Sequence, residues 1–338
     1  MATLTTLIPA YKHEHLAEVF LGLQRQTFKD FKVVLSDDSP DDEITQRLRS
    51  GQFGWLIEGL DLEVLRGPKQ ARQNHDALMA YWGGETPYAH LHLDDDVIFP
   101  DFYRSHVEAH AQGAYSVSVT RRWVTQDDIR PVYGIELPRF IAESPLRAVP
   151  VSAEQLFQSM VPTCNNWVGE FSNMVISAAG GRCWPRPPSQ GLSYYGWLDV
   201  GFLLTAIQTL PMIYVRDHQG IYRQHGQQTT HHMNNLGGRV SSIAWVVTAL
   251  RAWQESRISA AQCVNAVRYT VGECFKRYGE RDEVMNRFFD IVQAHGGQLD
   301  EFARVLAPFW CELIAGFRSG GRRAQAEGGV PAPQAVPA

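Results

Sequence analysis

The sequence has little that would tie it to a nucleic acid, a membrane or an oxidising compartment. It lacks a basic excess: 31 Lys and Arg stand against 36 Asp and Glu, a net charge of -5. That balance argues against the phosphate-neutralising surface of a nucleic-acid binder. It lacks any apolar run of about 18 residues, so no segment reads as spanning a bilayer. That absence does not bear on peripheral contact with a membrane surface. It lacks paired CxxC cysteines. The five present (Cys164, Cys183, Cys263, Cys274 and Cys311) are scattered and odd in number, which points to a reducing cytoplasm rather than a disulfide framework. The opening residues MATLTTLIPAYKHEH lack the basic flank and apolar core of a signal peptide. No Gly-rich phosphate loop follows them, and no internal repeat is found.

What is present is a globular composition, 44% apolar and 11% aromatic over 338 residues, enough for one large or two modest domains. Leu4–Ile8 is a short apolar run closed by Pro9-Ala10-Tyr11, a buried strand followed by a loop. Leu16, Val19, Phe20 and Leu23 then share a helical face over 15–26. Phe31–Leu35, Leu62–Leu65 and Ala89–Leu93 read as further strands, with a helix over 69–82. Strand alternating with helix through about 100 residues predicts a mostly parallel sheet with helices on both faces. Ligands of such sheets bind beyond the carboxyl ends of the strands. The middle, about 115–230, is rich in Pro, Gly, Trp and Tyr and reads as loops and short strands. Helical stripes resume near 241, with a capping box at Ser259-x-x-Gln262 and a kink at Pro308. From Ser319 onward the Gly, Arg, Ala and Pro content predicts disorder.

Two acidic clusters fall at the ligand-binding edge. Asp94, Asp95 and Asp96 follow the fourth strand. Hard divalent cations take oxygen ligands, and Mg²⁺ is commonly held by one or two carboxylates plus substrate phosphates. The alternative for the triplet is a solvated acidic turn. Asp37-Asp38-Ser39-Pro40-Asp41-Asp42 follows the second strand, where Asp38 can accept from a base N–H or a ribose hydroxyl; Asp, Ser and Pro are also ordinary turn residues. Arg72, at a helix start, suits bidentate contact with phosphate, or is simply solvated there. Asp199 sits among Tyr194, Tyr195 and Trp197, where a carboxylate can gain a raised pKa and act as a general base; it is equally suited to capping the apolar run Val200–Ile207. Tyr222-Arg223-Gln224-His225 offers an arginine for phosphate and an imidazole for a metal. The aromatics Trp167, Trp184, Tyr194, Tyr195 and Trp197 either wall an acceptor site, since rings suit the apolar faces of sugars, or pack in the core.

In order, these pieces resemble the family 2 glycosyltransferases, inverting enzymes of the GT-A fold, over about residues 3–230. Ile8-Pro9-Ala10-Tyr11 matches the family's opening strand and Pro-x-Tyr. Gln26-Thr27 matches the Gln-Thr before its second strand, and Asp37-Asp38-Ser39-Pro40-Asp41 its acidic nucleoside loop. Ala71-Arg72-Gln73-Asn74 is similar to its Ala-Arg-Asn element with one residue inserted. Asp94 and Asp96 match its metal-binding DXD motif. Leu198-Asp199 matches its Glu-Asp pair without the Glu, and Tyr222-Arg223-Gln224-His225 its closing Tyr-Arg-x-His.

The resemblance implies a GT-A domain over 1–234, its nucleotide-sugar half about 1–115 and its acceptor half about 116–234. A helical region over 235–318 and a disordered tail over 319–338 follow. It implies donor contacts from Pro9, Tyr11, Asp38, Arg72, Asp94 and Asp95, and a Mn²⁺ or Mg²⁺ ion on Asp94, Asp96 and His225. Asp199 is then the base, and Trp167, Tyr195 and Trp197 wall the acceptor. The donor is a nucleotide diphosphate sugar, a UDP-sugar first, and the acceptor a glycan, a lipid-linked glycan or a protein, as in bacterial surface glycan synthesis. The C-terminal helices pack on the catalytic domain by default; pairing two copies or lying on the inner membrane surface are the alternatives. A sugar nucleotidyltransferase and a non-catalytic nucleotide-sugar binder are the competing classes.

Overall fold

The computed structural model describes residues 2–126, 130–224, 235–279 and 282–325. Strand and helix alternate from the start. β1 (Leu4–Ala10) leads to α1 (Leu16–Gln24), β2 (Phe31–Asp37) to α2 (Glu43–Arg49), and β3 (Leu62–Arg66) to α3 (Ala71–Trp82). β4 (Tyr88–Leu91) ends in the turn that carries the acid triplet, followed by a short β5 (Val97–Ile98) and α4 (Phe102–His110). β1 is buried at every position, as a strand covered on both faces must be. It pairs in parallel with β2 and β4, and β2 pairs in parallel with β3. The carboxyl ends of these strands share one edge, and both acidic clusters sit there.

The second half completes the same sheet. β6 (Val117–Thr125), β7 (Pro131–Gly134), α5 (Arg139–Ala142), β8 (Ala148–Val151) and α6 (Ala153–Met160) lead to β9 (Met174–Ser177) and α7 (Ala178–Gly181). α8 (Leu198–Ala206) and β10 (Met212–Arg223) follow. The order is β3-β2-β1-β4-β9-β6-β10-β5, with β7 on β6 and β8 on β10. β9 is antiparallel to β4 and β6, while β6 and β10 pair in parallel along most of their length. The expectation of loops and short strands over 115–230 is thus corrected: β6 has 9 residues and β10 has 12. β6 escaped the hydrophobic pattern because its inward positions include Ser118, Thr120 and Arg122, all buried; a strand with polar buried positions shows no apolar alternation.

A polar seam runs under β4. His90 places Nε2 3.0 Å from the Ser172 carbonyl and Nδ1 3.1 Å from the Tyr103 hydroxyl. The carbonyl needs a donor, so Nε2 carries the proton and Tyr103 donates to Nδ1. The ring stacks on His92, centroids 5.0 Å apart. Burial holds both imidazoles neutral, His92 down to about 3. Ser172 Oγ also accepts from the Leu93 N–H at 3.0 Å, so the loop at 170–173 is pinned beneath the acid triplet.

α9 (Leu236–Gln254), α10 (Ala260–Tyr278), α11 (Glu283–His295) and α12 (Leu299–Gln325) close the chain. The predicted capping box forms: Ser259 Oγ accepts from Gln262 N–H at 3.2 Å and Gln262 Oε1 accepts from Ser259 N–H at 2.8 Å. The tail expected to be disordered from 319 is instead helical to Gln325, continuous through Pro308; residues 326–338 lie outside those described. These helices share one apolar core with the sheet, from Leu91 through Phe202 in α8 to Val247 in α9 and Trp310 in α12. Core packing is their observed role. Among the described residues no helix is long and apolar enough to cross a membrane.

Candidate active site

The triplet divides its labour. β4 ends at Leu91, earlier than predicted, and Asp94–Asp96 form the turn to β5. Asp94 Oδ2 accepts the N–H groups of Tyr11 and Lys12 at 2.7 and 2.9 Å. It therefore fixes the β1–α1 loop, on which Tyr11 stands 54% exposed. Burial, and then Asp95, push the Asp94 carboxyl up to about 6. Asp96 is 1% exposed. Its Oδ1 accepts from the Arg223 N–H at 3.1 Å, whereas its Oδ2 has no hydrogen-bond partner among the described residues. Burial raises this carboxyl well above the usual range, with Asp95 and Glu170 adding to the rise.

Arg223 was expected to neutralise phosphate, but it is built into the turn. The side chain is 1% exposed, its Nε donates to the Asp95 carbonyl at 3.0 Å, and its Nη2 pairs with Glu18 of α1. His225 lies outside the described residues. Pro9 was expected to touch the donor; it is buried within β1, beyond Leu7, the last β1 residue paired with β4, where a residue without an N–H is tolerated.

The second acidic cluster is mostly satisfied internally. Asp37 closes β2, and its carboxylate accepts from Ser39 N–H at 3.0 Å and from Thr45 N–H and Oγ1 at 2.8 and 2.6 Å, folding the 38–45 loop. Asp38 is buried and accepts from the Lys69 N–H; burial is the main cause of its raised pKa. Asp42 pairs with Lys69 at 3.0 Å and with Arg66. Arg72 was also expected to meet the donor. Its guanidinium is 8% exposed, lies 4.0 Å over the Tyr195 ring and 3.4 Å from Asp76, and its Nε and Nη2 make no hydrogen bond among the described residues. Arg318 of α12 reaches the same cluster, donating to Tyr195 Oη at 2.5 Å and Asp76 Oδ2 at 3.2 Å. Asn74 is buried and its amide points at the Ser36 carbonyl, 3.4 Å away.

Asp199 does not cap α8. The helix begins at Leu198 with Trp197 at the cap position and no side-chain cap. Asp199 lies in the first turn, where Oδ1 accepts from Val200 N–H at 2.8 Å and Oδ2 faces the Asn166 amide at 3.5 Å. Burial drives its carboxyl up to about 6, and Glu170 adds to the rise while Arg122 opposes it. α8 is seated tightly: a Cβ on Gly201 would lie 1.7 Å from the Tyr194 carbonyl oxygen. Gly201→Ala is expected to cost at least about 1–3 kcal/mol by overpacking. A thermal midpoint equal to that of the original chain would contradict this packing.

The pair that sequence reasoning missed is Arg122–Glu170. Arg122 of β6 is 4% exposed and grips Glu170 with two nitrogens, Nη2 to Oε1 at 2.8 Å. Gly169 makes this approach: its φ is +115°, and a Cβ would lie 2.4 Å from Arg122 Cζ. Glu170 raises the pKa of both Asp96 and Asp199, so the three carboxylates form one electrostatic neighbourhood. The sole hint in the sequence is an acid directly after a glycine in Trp-Val-Gly-Glu, and its partner is 48 residues away. Glu170→Gln removes a raising influence from Asp199 and frees Arg122 to lower it further. The acidic limb of any Asp199-dependent rate is expected to move to lower pH; an unmoved limb in a pH–rate profile would count against this coupling.

The expected acceptor wall is largely core. Trp167 is 1% exposed, donates to Ser159 Oγ at 3.1 Å and packs on Phe140 and Tyr214. Tyr195 is 2% exposed beneath Arg72. Trp184 packs at a tilt against Phe171 and Phe202. Trp197, partly exposed, lines a cavity. Large aromatics bury more apolar area than other side chains, and these rings follow that rule.

No family model matches the chain, and no curated protein matches it. Solved structures do share its fold. S. aureus TarS 1-349 in complex with UDP-GlcNAc superposes with a TM-score of 0.55 at 14% identity, covering 95% of this chain and 92% of that one. The same protein in complex with UDP gives 0.55 at 12% identity, and without a stated ligand 0.53 at 13%, each with the same coverage. The likeness spans sheet and C-terminal helices alike, and the expected GT-A-like α/β architecture with a helical extension is the fold of this chain.

Proposed function

We propose that the protein is a glycosyltransferase that moves a sugar from a nucleotide diphosphate sugar to an acceptor hydroxyl with inversion at the anomeric carbon. One observation carries the reading: the buried Asp96 Oδ2 has no hydrogen-bond partner among the described residues, and it shares the field of Glu170 with an Asp199 held near 6. A buried carboxylate oxygen without a donor is costly unless a ligand or cation meets it.

Among the described residues no group of three or more His, Cys, Asp or Glu could hold a metal ion. A hard divalent cation still fits, because such ions accept a single protein carboxylate when substrate phosphates and water complete the shell. Asp96 would hold it, with Asp94 engaged in fixing the loop of Tyr11. Bound Mg²⁺ or Mn²⁺ would neutralise charge developing on the leaving diphosphate. Asp38 closes the nucleoside end, and the exposed Tyr11 ring offers a face to the base. Asp199 takes the proton from the acceptor hydroxyl as that oxygen bonds to the anomeric carbon. The bond from that carbon to the diphosphate oxygen breaks, and the nucleoside diphosphate leaves.

The fold shared with a chain bound to UDP-GlcNAc supports trying UDP-sugars first. Thermal-shift screening of UDP- and GDP-sugars with Mn²⁺ tests the reading, since a ligand bound only by the folded state raises its stability by mass action. Stabilisation by a nucleotide sugar, and release of nucleoside diphosphate on adding an acceptor, are expected. No stabilisation by any of them would overturn it, and pyrophosphate release from a sugar 1-phosphate and a nucleoside triphosphate would place the chain among the nucleotidyltransferases instead.

A further inference from the structure

A cavity of about 260 Å³ opens between α9, α10 and the segments that hold Asp199. Trp197, which lines it, is two residues from Asp199. Cys164, which also lines it, is two residues before Asn166, the residue facing the Asp199 carboxylate at 3.5 Å. The near wall of the cavity and the support of the proposed base are therefore the same two stretches of chain.

The lining has a distinct chemistry. Trp197 and Trp245 supply aromatic faces, centroids 6.5 Å apart and inclined at 43°, and Tyr269 lines it from α10 with 59% exposure. Ser241 and Ser242 supply hydroxyls from α9. Glu273 and Arg277 supply one charge of each sign from α10, and Glu273 also meets Lys276 at 2.7 Å. The Trp197 indole N–H is buried without an acceptor among the described residues, so the ring meets the cavity through its apolar surface.

We infer that this cavity is a subsite for a neutral sugar ring of the acceptor, a reading that rests on the proposed transferase activity. The C–H face of a sugar lies against aromatic rings, and its hydroxyls both donate and accept. They can donate to Glu273 and accept from Arg277. A phosphate is anionic and would be repelled by the Glu273 carboxylate. The volume falls just below the usual range of ligand pockets, which starts at about 300 Å³, so one ring rather than a longer glycan occupies it. The C-terminal helices thereby contribute to acceptor recognition, and the acceptor is a glycan or glycosylated molecule.

The test is titration of the full chain, without donor, by N-acetylglucosamine, glucose and galactose, followed by tryptophan fluorescence, with inorganic phosphate as the anionic probe. At least one sugar should give a saturable change and phosphate none. Tyr269→Ala and Glu273→Ala, both at exposed positions of α10, should each weaken that sugar about tenfold, the scale of one aromatic or charge-assisted contact. Both variants should keep the thermal shift given by a nucleotide sugar, which also shows that they fold. No saturable sugar response in a chain that still binds a nucleotide sugar overturns the subsite and leaves the transferase reading intact. Saturation by phosphate overturns the neutral-sugar assignment. Sugar binding in a chain that binds no nucleotide sugar overturns the acceptor role, and the transferase reading with it.

Discussion

Asp199→Asn is expected to lower kcat by about 10²–10⁴-fold, the usual contribution of a positioned general base, while leaving nucleotide-sugar binding nearly unchanged. The substitution is close to isosteric. Asn can still accept from the Val200 N–H at 2.8 Å and gives up only the long contact from the Asn166 amide at 3.5 Å, so a misfolded variant is not the expected outcome. The pH dependence gives an independent check. Below about 6 the Asp199 carboxyl is protonated and cannot take a proton from the acceptor. The original enzyme should gain rate as pH rises through about 6 and then level off; the residual rate of the variant should show no such limb. Stability should move the other way. Because the folded-state pKa of Asp199 lies above its ordinary value, the folded chain binds this proton more tightly than the unfolded chain does. Asp199 therefore costs stability as pH rises from about 4 to about 6, and Asn removes that cost. A variant with unchanged turnover would sink the assignment.

Asp96→Asn is expected to abolish the metal dependence of nucleotide-sugar binding. The stabilisation that donor and Mn²⁺ give together, about 2.7 kcal/mol at a ligand concentration one hundred times Kd, should collapse to whatever the nucleotide gives alone. The free variant should be at least as stable as the original, since it no longer buries a carboxyl whose ionisation is opposed by burial, Asp95 and Glu170. A cation at Asp96 must compete with the proton that this environment favours, so the metal-dependent shift should grow with pH, and should be larger above about 6, where Asp94 is ionised, than below it. The comparison is a thermal shift with and without chelator on both sides of that pH. Donor binding by the original chain that is indifferent to chelator would refute the metal role.

What sequence reasoning could read was local or governed by a general rule. The alternation of β1 to β4 with α1 to α3 follows from apolar periodicity. The Ser259–Gln262 capping box is a contact between residues three apart, and it formed as predicted. The placing of Asp38 and Asp94–Asp96 at one edge follows from parallel strands ending together. Each of these requires only neighbours in the chain or the direction of a strand.

The division of roles within the site was not readable in that way. Asp94 and Asp96 are equivalent in the sequence; only the folded loop of Tyr11 and Lys12 takes up one carboxylate while the other keeps an unpartnered oxygen. Arg223 resembled a phosphate ligand until Glu18 and the Asp95 carbonyl were found to hold it. Trp167 and Tyr195 had the composition of a sugar wall and turned out to be core. The sequence by itself determined the fold class, the strand-end acids and the candidate base. The tertiary structure decided which acid keeps an oxygen unpartnered among the described residues, that Arg122 and Glu170 tie Asp96 to Asp199, and that α9 and α10 reach the segments holding that base. The physical reason is that burial and partner choice set the charge state and availability of each group, and the partners lie tens to hundreds of residues apart.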